Sequence, residues 1–268
     1  MRIGTHEFDV KNQTYIMGIL NVTPDSFSDG GKFKGVDAAL KRAEQMQREG
    51  AAILDIGGES TRPGYTPVSE EVEMERILPV IEAVKRNIDI PISVDTYKSA
   101  VAQSAILAGA DLINDIWGLK ADGKMAELIA KHDVACCLMH NRADMEYTDF
   151  LEDVVKDMEE SLVLAKQADI ATDKIILDPG VGFAKSYEQN LEIIRNLDKI
   201  EKLGYPVLLG TSRKSVIGLT LDLPSDERLE GTLVTTVAAV QKGCAFVRVH
   251  DIRENYRAIQ MAQAIYRR

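Results

Sequence analysis

The feature that most restricts this chain is a rhythm: short apolar, β-branched runs, each followed by a stretch with amphipathic helical spacing. The runs fall at residues 15–20, 53–56, 92–94, 112–114, 135–139, 175–177, 207–209 and 245–249. Helical patterns occupy 36–49, 70–86, 98–107, 124–131, 151–168, 187–202, 229–242 and 253–267. Gly50, Gly109, Gly204 and Gly243 stand near helix ends, where a left-handed residue is often needed. Eight strand–helix units predict an α/β chain whose parallel sheet closes into a (β/α)8 TIM barrel, with an open doubly wound sheet as the alternative. An open sheet gathers its ligand groups at one switch point. Here polar residues follow nearly every strand, which favours the barrel. Residues 1–13 alternate loosely and predict a short N-terminal hairpin that caps the barrel base.

All 268 residues are read as a single domain, because such barrels commonly run to about 250 residues. A formal net charge of −10 disfavours a chain whose task is to grip nucleic acid or an anionic membrane. No apolar run approaches the roughly 18 residues of a membrane span, and the first residues carry charge with no apolar stretch behind it, so no signal peptide is expected. Cys136, Cys137 and Cys244 are odd in number, and two are adjacent, which argues against a disulfide framework or a thiolate zinc site. They are expected to pack as small hydrophobes in a reducing, cytoplasmic setting.

Two connections are long for their position: residues 21–35, after the first strand, and 57–67, after the second. Long βα loops on a compact scaffold usually carry function. The residues at strand ends form a second pattern. In chain order they are Asn21, then Asp55 and Glu59, Asp95, Asn114 and Asp115, His140, Asp178, then Ser212, Arg213 and Lys214, and finally Arg248 and His250. Any single one is explained by turn or helix capping. Ending eight successive strands this way describes a polar mouth at the C-terminal face of the barrel. Asp95, Asn114 and Asp178 suit the in-plane N–H groups of a flat heterocycle. Arg248, His250 and Asn21, from the last and first strands, suit an anion site, where a guanidinium forks onto phosphate oxygens. Magnesium that accompanies a diphosphate needs only one or two protein ligands, so Asn21 alone would suffice. Lys214 admits three readings: a surface lysine, a Schiff-base lysine, or a donor to a ring carbonyl. Its place in a turn beyond the seventh strand favours the donor.

Several segments resemble the dihydropteroate synthases. Residues 17–30 (MGILNVTPDSFSDG) are similar to the first signature of that family and 54–64 (LDIGGESTRPG) to the second. The segments SVDT at 93–96, IND at 113–115, DPGVGF at 178–183, TSRKS at 211–215 and RVH at 248–250 follow in family order. The resemblance implies a magnesium-dependent alkyl transfer in folate biosynthesis. In it 6-hydroxymethyl-7,8-dihydropterin diphosphate and p-aminobenzoate give 7,8-dihydropteroate and diphosphate. It implies that Asp95, Asn114, Asp178, Phe183 and Lys214 hold the pterin. Asn21, Thr61, Arg248 and His250 would hold diphosphate, with Asn21 on the Mg2+. Phe27, Thr61, Pro63, Ser212 and Lys214 would shape the aminobenzoate site, where sulfonamides bind in the family. Asp95, Asp178, Lys214, Arg248 and His250 are the implied catalytic set. A homodimer is also implied, and Val237, Ala238, Ile259 and Ala262 offer an apolar face for it. Departures are small: Ala184-Lys-Ser186 stands where many members have Gly-Lys-Thr, and Val216 replaces a bulkier residue. The alternatives are a corrinoid-linked methyltransferase barrel that binds methyltetrahydrofolate, a catalytically silent pterin-binding protein, and a Schiff-base aldolase.

Overall fold

The computed structural model describes residues 1–22, 31–59 and 67–266, and the side chains of all of these except 31–34. The barrel strands are β3 (Tyr15–Asn21), β4 (Ile53–Gly57), β5 (Ile92–Asp95), β6 (Leu112–Asp115), β7 (Ala135–Met139), β8 (Ile175–Asp178), β9 (Leu208–Leu209) and β10 (Phe246–Val249). Each pairs in parallel with its neighbour in the order β8-β7-β6-β5-β4-β3-β10-β9. A parallel bridge between Leu177 and Val207 joins β8 to β9 and closes the ring. A parallel sheet must be buried on both faces, and the strands accordingly carry few exposed residues.

The helices that cover the outer face are α1 (Gly31–Glu49), α2 (Glu70–Asn87), α3 (Ser99–Ala108), α4 (Met125–His132), α5 (Phe150–Gln167), α6 (Tyr187–Arg195), α7 (Leu197–Glu201), α8 (Ser215–Leu221), α9 (Leu229–Gln241) and α10 (Ile252–Tyr266). Their caps follow from sequence. Ser69 accepts a hydrogen bond from the Val72 amide at the start of α2, and Glu70, Glu71 and Glu73 face the positive end of its dipole. Asp149 does the same for α5, and Ser186 with Gln189 forms a reciprocal capping box on α6. The four glycines expected at helix ends all have positive φ.

Three expectations are corrected. The helix expected over 187–202 is broken at Asn196 into α6 and α7. A short helix, α8, stands where only a turn was expected. Helix α1 begins at Gly31, inside the stretch expected as loop.

A side-chain period of two along each strand sorts the core. One cluster lies between strands and helices and includes Leu54, Ile92, Ile113, Cys136, Leu177 and Val247. The other fills the barrel interior with Met17, Ile53, Leu112, Cys137, Ile176, Leu208 and Phe246. Residues 1–13 do form a hairpin, β1 (Arg2–Ile3) with β2 (His6–Glu7). Ile3 and Phe8 join the interior cluster. Phe8 packs edge-on to Tyr15 at 4.9 Å between ring centroids and at 5.7 Å from Phe246, so the hairpin plugs the base.

Candidate active site

Two residues beyond four of the interior apolar side chains, the same inward phase turns polar. Ile53 is followed by Asp55, Leu112 by Asn114, Ile176 by Asp178 and Phe246 by Arg248. Leu208 is followed by Gly210. A Cβ on Gly210 would lie 3.6 Å from Asp178 Oδ2 and 3.8 Å from both Lys214 Nζ and the Arg248 Cβ, so this position borders all three side chains of the cluster. Asp55, Asp95, Asn114 and Asp178 are all buried.

Arg248 is the hub. Its Nε donates to Asp55 Oδ2 at 2.6 Å, and one terminal nitrogen donates to Asp95 Oδ2 at 2.8 Å. Ser93 Oγ donates to the other Asp55 oxygen at 2.5 Å. Two of the five N–H groups of the guanidinium are thus committed to carboxylates. Burial opposes the Arg248 charge, but the Asp55 and Asp95 carboxylates outweigh it and raise its pKa above the ordinary value. Burial raises the Asp95 carboxyl to about 7, with Arg248 opposing and Asp55 adding to the shift. Asp95 Oδ1 is buried and accepts no hydrogen bond from the described residues, which leaves an acceptor open at the mouth.

Asp178 and Lys214 act on each other electrostatically within the cluster. Asp178 Oδ1 accepts from the Gly180 amide at 2.8 Å. Burial raises its pKa while Lys214 opposes. Burial lowers Lys214 to about 8, with Asp178 opposing. Lys214 Nζ donates to the Val181 carbonyl at 2.5 Å and sits 4.9 Å over the Phe183 ring. On the neighbouring flank, Ser212 Oγ lies 3.0 Å from His250 Nδ1 and accepts from the His250 amide at 3.2 Å. Arg42 donates to the His250 carbonyl. Asn21 ends β3, next to β10 in the sheet. A Cβ on Gly57 would stand 3.8 Å from Asn21 Oδ1 and 3.6 Å from Asp95 Cβ, so both side chains border Gly57.

Not every strand-end residue serves the mouth. Asp115 accepts from the Trp117 and Leu119 amides and shapes the turn after β6. Arg213, at a left-handed φ of 59°, is clamped by both oxygens of Asp251. His140 has both ring nitrogens bonded, to Asp157 and Lys185. Glu59 pairs with Lys98, which also holds Glu73. Phe27, Thr61 and Pro63 lie outside the described residues. Ile259 and Ala262 are 1% and 2% exposed and pack into the core, so they offer no outer face. Sequence reasoning placed Asp55 at a strand end but missed its pairing with Arg248. The signal was there: counting two residues on from Ile53 and from Phe246 puts both in one inward layer.

The profile described as pterin binding enzyme matches residues 17–250. A relative from Clostridium beijerinckii named dihydropteroate synthase is 58% identical over 269 residues, covering 100% of both chains. The chain belongs to the dihydropteroate synthase family. Members are pterin-binding transferases of folate biosynthesis. A dihydropteroate synthase from Clostridium difficile, solved in the presence of pteroic acid, superposes with a TM-score of 0.95 at 50% identity, covering 98% of this chain and 100% of that one. A Xanthomonas albilineans dihydropteroate synthase with 4-aminobenzoic acid gives a TM-score of 0.90 at 40% identity, covering 95% of this chain and 93% of that one. Among the described residues no helix is long and apolar enough to cross a membrane.

Proposed function

We propose that this mouth condenses 6-hydroxymethyl-7,8-dihydropterin diphosphate with p-aminobenzoate to give 7,8-dihydropteroate and diphosphate. The observation that carries the reading is the sorted polar layer. Asp95, with its open Oδ1, Asn114 and Asp178 stand on β5, β6 and β8, while Arg248, Asn21 and the His250–Ser212 pair lie around β10 and β3. The two carboxylates and Asn114 take the pterin N–H groups. Lys214 donates to the ring carbonyl, and Phe183 borders the ring. The remaining Arg248 donors, His250, Asn21 and Thr61 take the diphosphate. Phe27, Pro63, Thr61, Ser212 and Lys214 border the aminobenzoate.

Among the described residues no cluster of three or more His, Cys, Asp or Glu side chains is arranged for a metal. The Asn21 amide oxygen at the end of β3 is nonetheless a hard donor of the kind that would hold Mg2+, and a diphosphate-borne ion needs few protein ligands. Bound there through Asn21, Mg2+ supplies charge neutralisation of the leaving diphosphate.

The methylene–oxygen bond breaks with its electron pair leaving on diphosphate, and the reduced ring carries the positive charge. Asp95 and Asp178 favour that cation, whereas Arg248 and His250 favour the anion, so opposite charges are stabilised before they form. The aromatic amine is neutral near pH 7 and attacks through its lone pair, then loses its proton to water, so no general base is required. The whole chain is read as one domain. The three buried cysteines, none of them in a disulfide, suit the reducing cytoplasm. A homodimer is supported by exposed Val234 on α9 and Met261 and Ile265 on α10.

The test is diphosphate release from the dihydropterin diphosphate, with and without p-aminobenzoate and with and without magnesium. Release that needs magnesium, with equal dihydropteroate formed, supports the reading. Tight pterin binding without turnover replaces it with a silent binder or a methyltransferase.

A further inference from the structure

Behind the pterin loop lies a buried charge that the proposed chemistry does not use. Lys185 is 7% exposed. Its Nζ sits 2.7 Å from His140 Nδ1 and 3.1 Å from the carbonyls of both Gly180 and Phe183. An ammonium has three N–H groups and no lone pair, so three acceptors around one nitrogen match the charged form. That count fixes the histidine. Nδ1 must accept, so Nε2 carries the hydrogen and donates to Asp157 Oδ2 at 2.9 Å. Asp157 is held in turn by Arg142 at 2.5 Å and 3.2 Å. Burial draws Lys185 down to about 7, with the Asp178 carboxylate opposing.

The network grips one loop, residues 179–184. Tyr147 donates to the Ala184 carbonyl at 2.9 Å, and the His140 amide donates to the Asp178 carbonyl at 2.9 Å. Gly180 is essential to the approach, because a Cβ there would lie 1.9 Å from the His140 carbonyl oxygen at a φ of 69°. The loop carries Phe183 and the Val181 carbonyl to which Lys214 donates.

We infer that Lys185, set by His140 and Asp157 behind it, is a positioning residue of the pterin site that fixes the loop under Lys214 and Phe183. It touches no substrate; it acts through Val181 and Phe183. This rests on the reading of the mouth as a pterin site.

The test compares wild type with Lys185→Met, using 6-hydroxymethyl-7,8-dihydropterin diphosphate in calorimetry and p-aminobenzoate in steady-state kinetics. Losing the buried donors should raise the dihydropterin Kd about tenfold or more. The aminobenzoate KM should rise less than the dihydropterin Kd, because Lys214 is the one aminobenzoate-bordering group among the described residues that rests on this loop. Equal weakening of both substrates marks a general structural defect and overturns the inference, as does an unchanged Kd. If Lys185→Met does not fold, His140→Leu and His140→Asn decide. Asn keeps an acceptor near the Nδ1 position and should recover the pterin affinity that Leu loses, and equal affinities overturn the inference. Nitrogen NMR of the ligand-free protein should show His140 protonated on Nε2 alone, and a proton on Nδ1 overturns the network. Failure of wild type to bind the dihydropterin at all would instead remove the reading on which the inference rests.

Discussion

At the level of single residues, the mouth holds charges where burial disfavours them. Asp95 titrates at about 7 when folded against 3.8 ordinarily, through burial that Arg248 only partly offsets. The unfolded chain gives up that proton near 3.8, so the folded state holds the extra proton between about pH 4 and pH 7. A raised carboxyl of this kind makes stability fall as pH rises through the window. Asp95→Asn should therefore gain on wild type by about 2 kcal/mol between pH 5 and pH 8 in urea unfolding of the ligand-free protein. A gap that stays constant between pH 5 and pH 8 would mean that Arg248 keeps Asp95 ionised throughout. Arg248 invites a different expectation, because Asp55 is fully buried and bonded to it. Arg248→Ala strands two carboxylates and should cost about 3 kcal/mol. It should also weaken the dihydropterin diphosphate more than the free dihydropterin in parallel calorimetric titrations. Equal weakening would remove Arg248 from the anion site. Ala184 shows how a small departure acquires meaning. Its φ is 46°, in the left-handed region that glycine enters without strain.

At the level of elements, period and caps made the strands and most helices readable, because every barrel strand is an apolar run and every long helix carries an amphipathic stripe. The misses have physical causes. The apolar spacing Leu191, Ile194, Leu197, Ile200 continues straight through Asn196, so nothing in the pattern marks the break. There the Asn196 side chain donates to the Glu192 carbonyl and ends α6. Helix α8 is seven residues long and contains Gly218, whose missing Cβ gives way to the Arg228 guanidinium, a contact no local pattern encodes. The site was legible where it depended on strand phase, as for Asp95, Asn114, Asp178 and Arg248. It was illegible where long-range partners decide, as for Arg213 and His140. Helix α6 also tethers the pterin loop. Buried Asn190 accepts from the Gly182 amide at 2.6 Å and donates to the Lys185 and Ser186 carbonyls at 3.2 Å and 2.7 Å. Asn190→Ala removes these three side-chain bonds, with only the Ser186 carbonyl keeping a partner in the residue-190 amide, and should cost about 2 kcal/mol. Hydrogen exchange at Gly182 should rise with it. Protection at Gly182 equal to wild type would show that the loop is held without α6.

For the whole molecule, the interior column of the barrel changes character along its axis, and stability and function should separate accordingly. The lower half is apolar and sealed by the hairpin through Ile3 and Phe8, whereas the upper half is a charged layer with an open acceptor. Apolar burial at the base stabilises the fold, while the layer above is held at a cost that only a ligand offsets. Phe8→Ala empties part of the plug and should lose about 3 kcal/mol in urea unfolding. Its kcat/KM should remain that of wild type below its melting range, because no contact with the mouth is removed. Asp178→Asn should do the opposite. Burial raises the Asp178 pKa, so replacing the carboxylate by an amide removes an unfavourable buried charge at pH 8. Stability should be equal to or above that of wild type, while dihydropterin affinity falls because an amide meets the ring N–H groups. The two variants together form the decisive comparison. A Phe8→Ala enzyme that keeps its stability but loses turnover would show that the base reaches the mouth through the strands. An Asp178→Asn protein that binds the pterin as wild type does would take that carboxylate out of the ligand's reach and leave the sorted layer without its central acceptor.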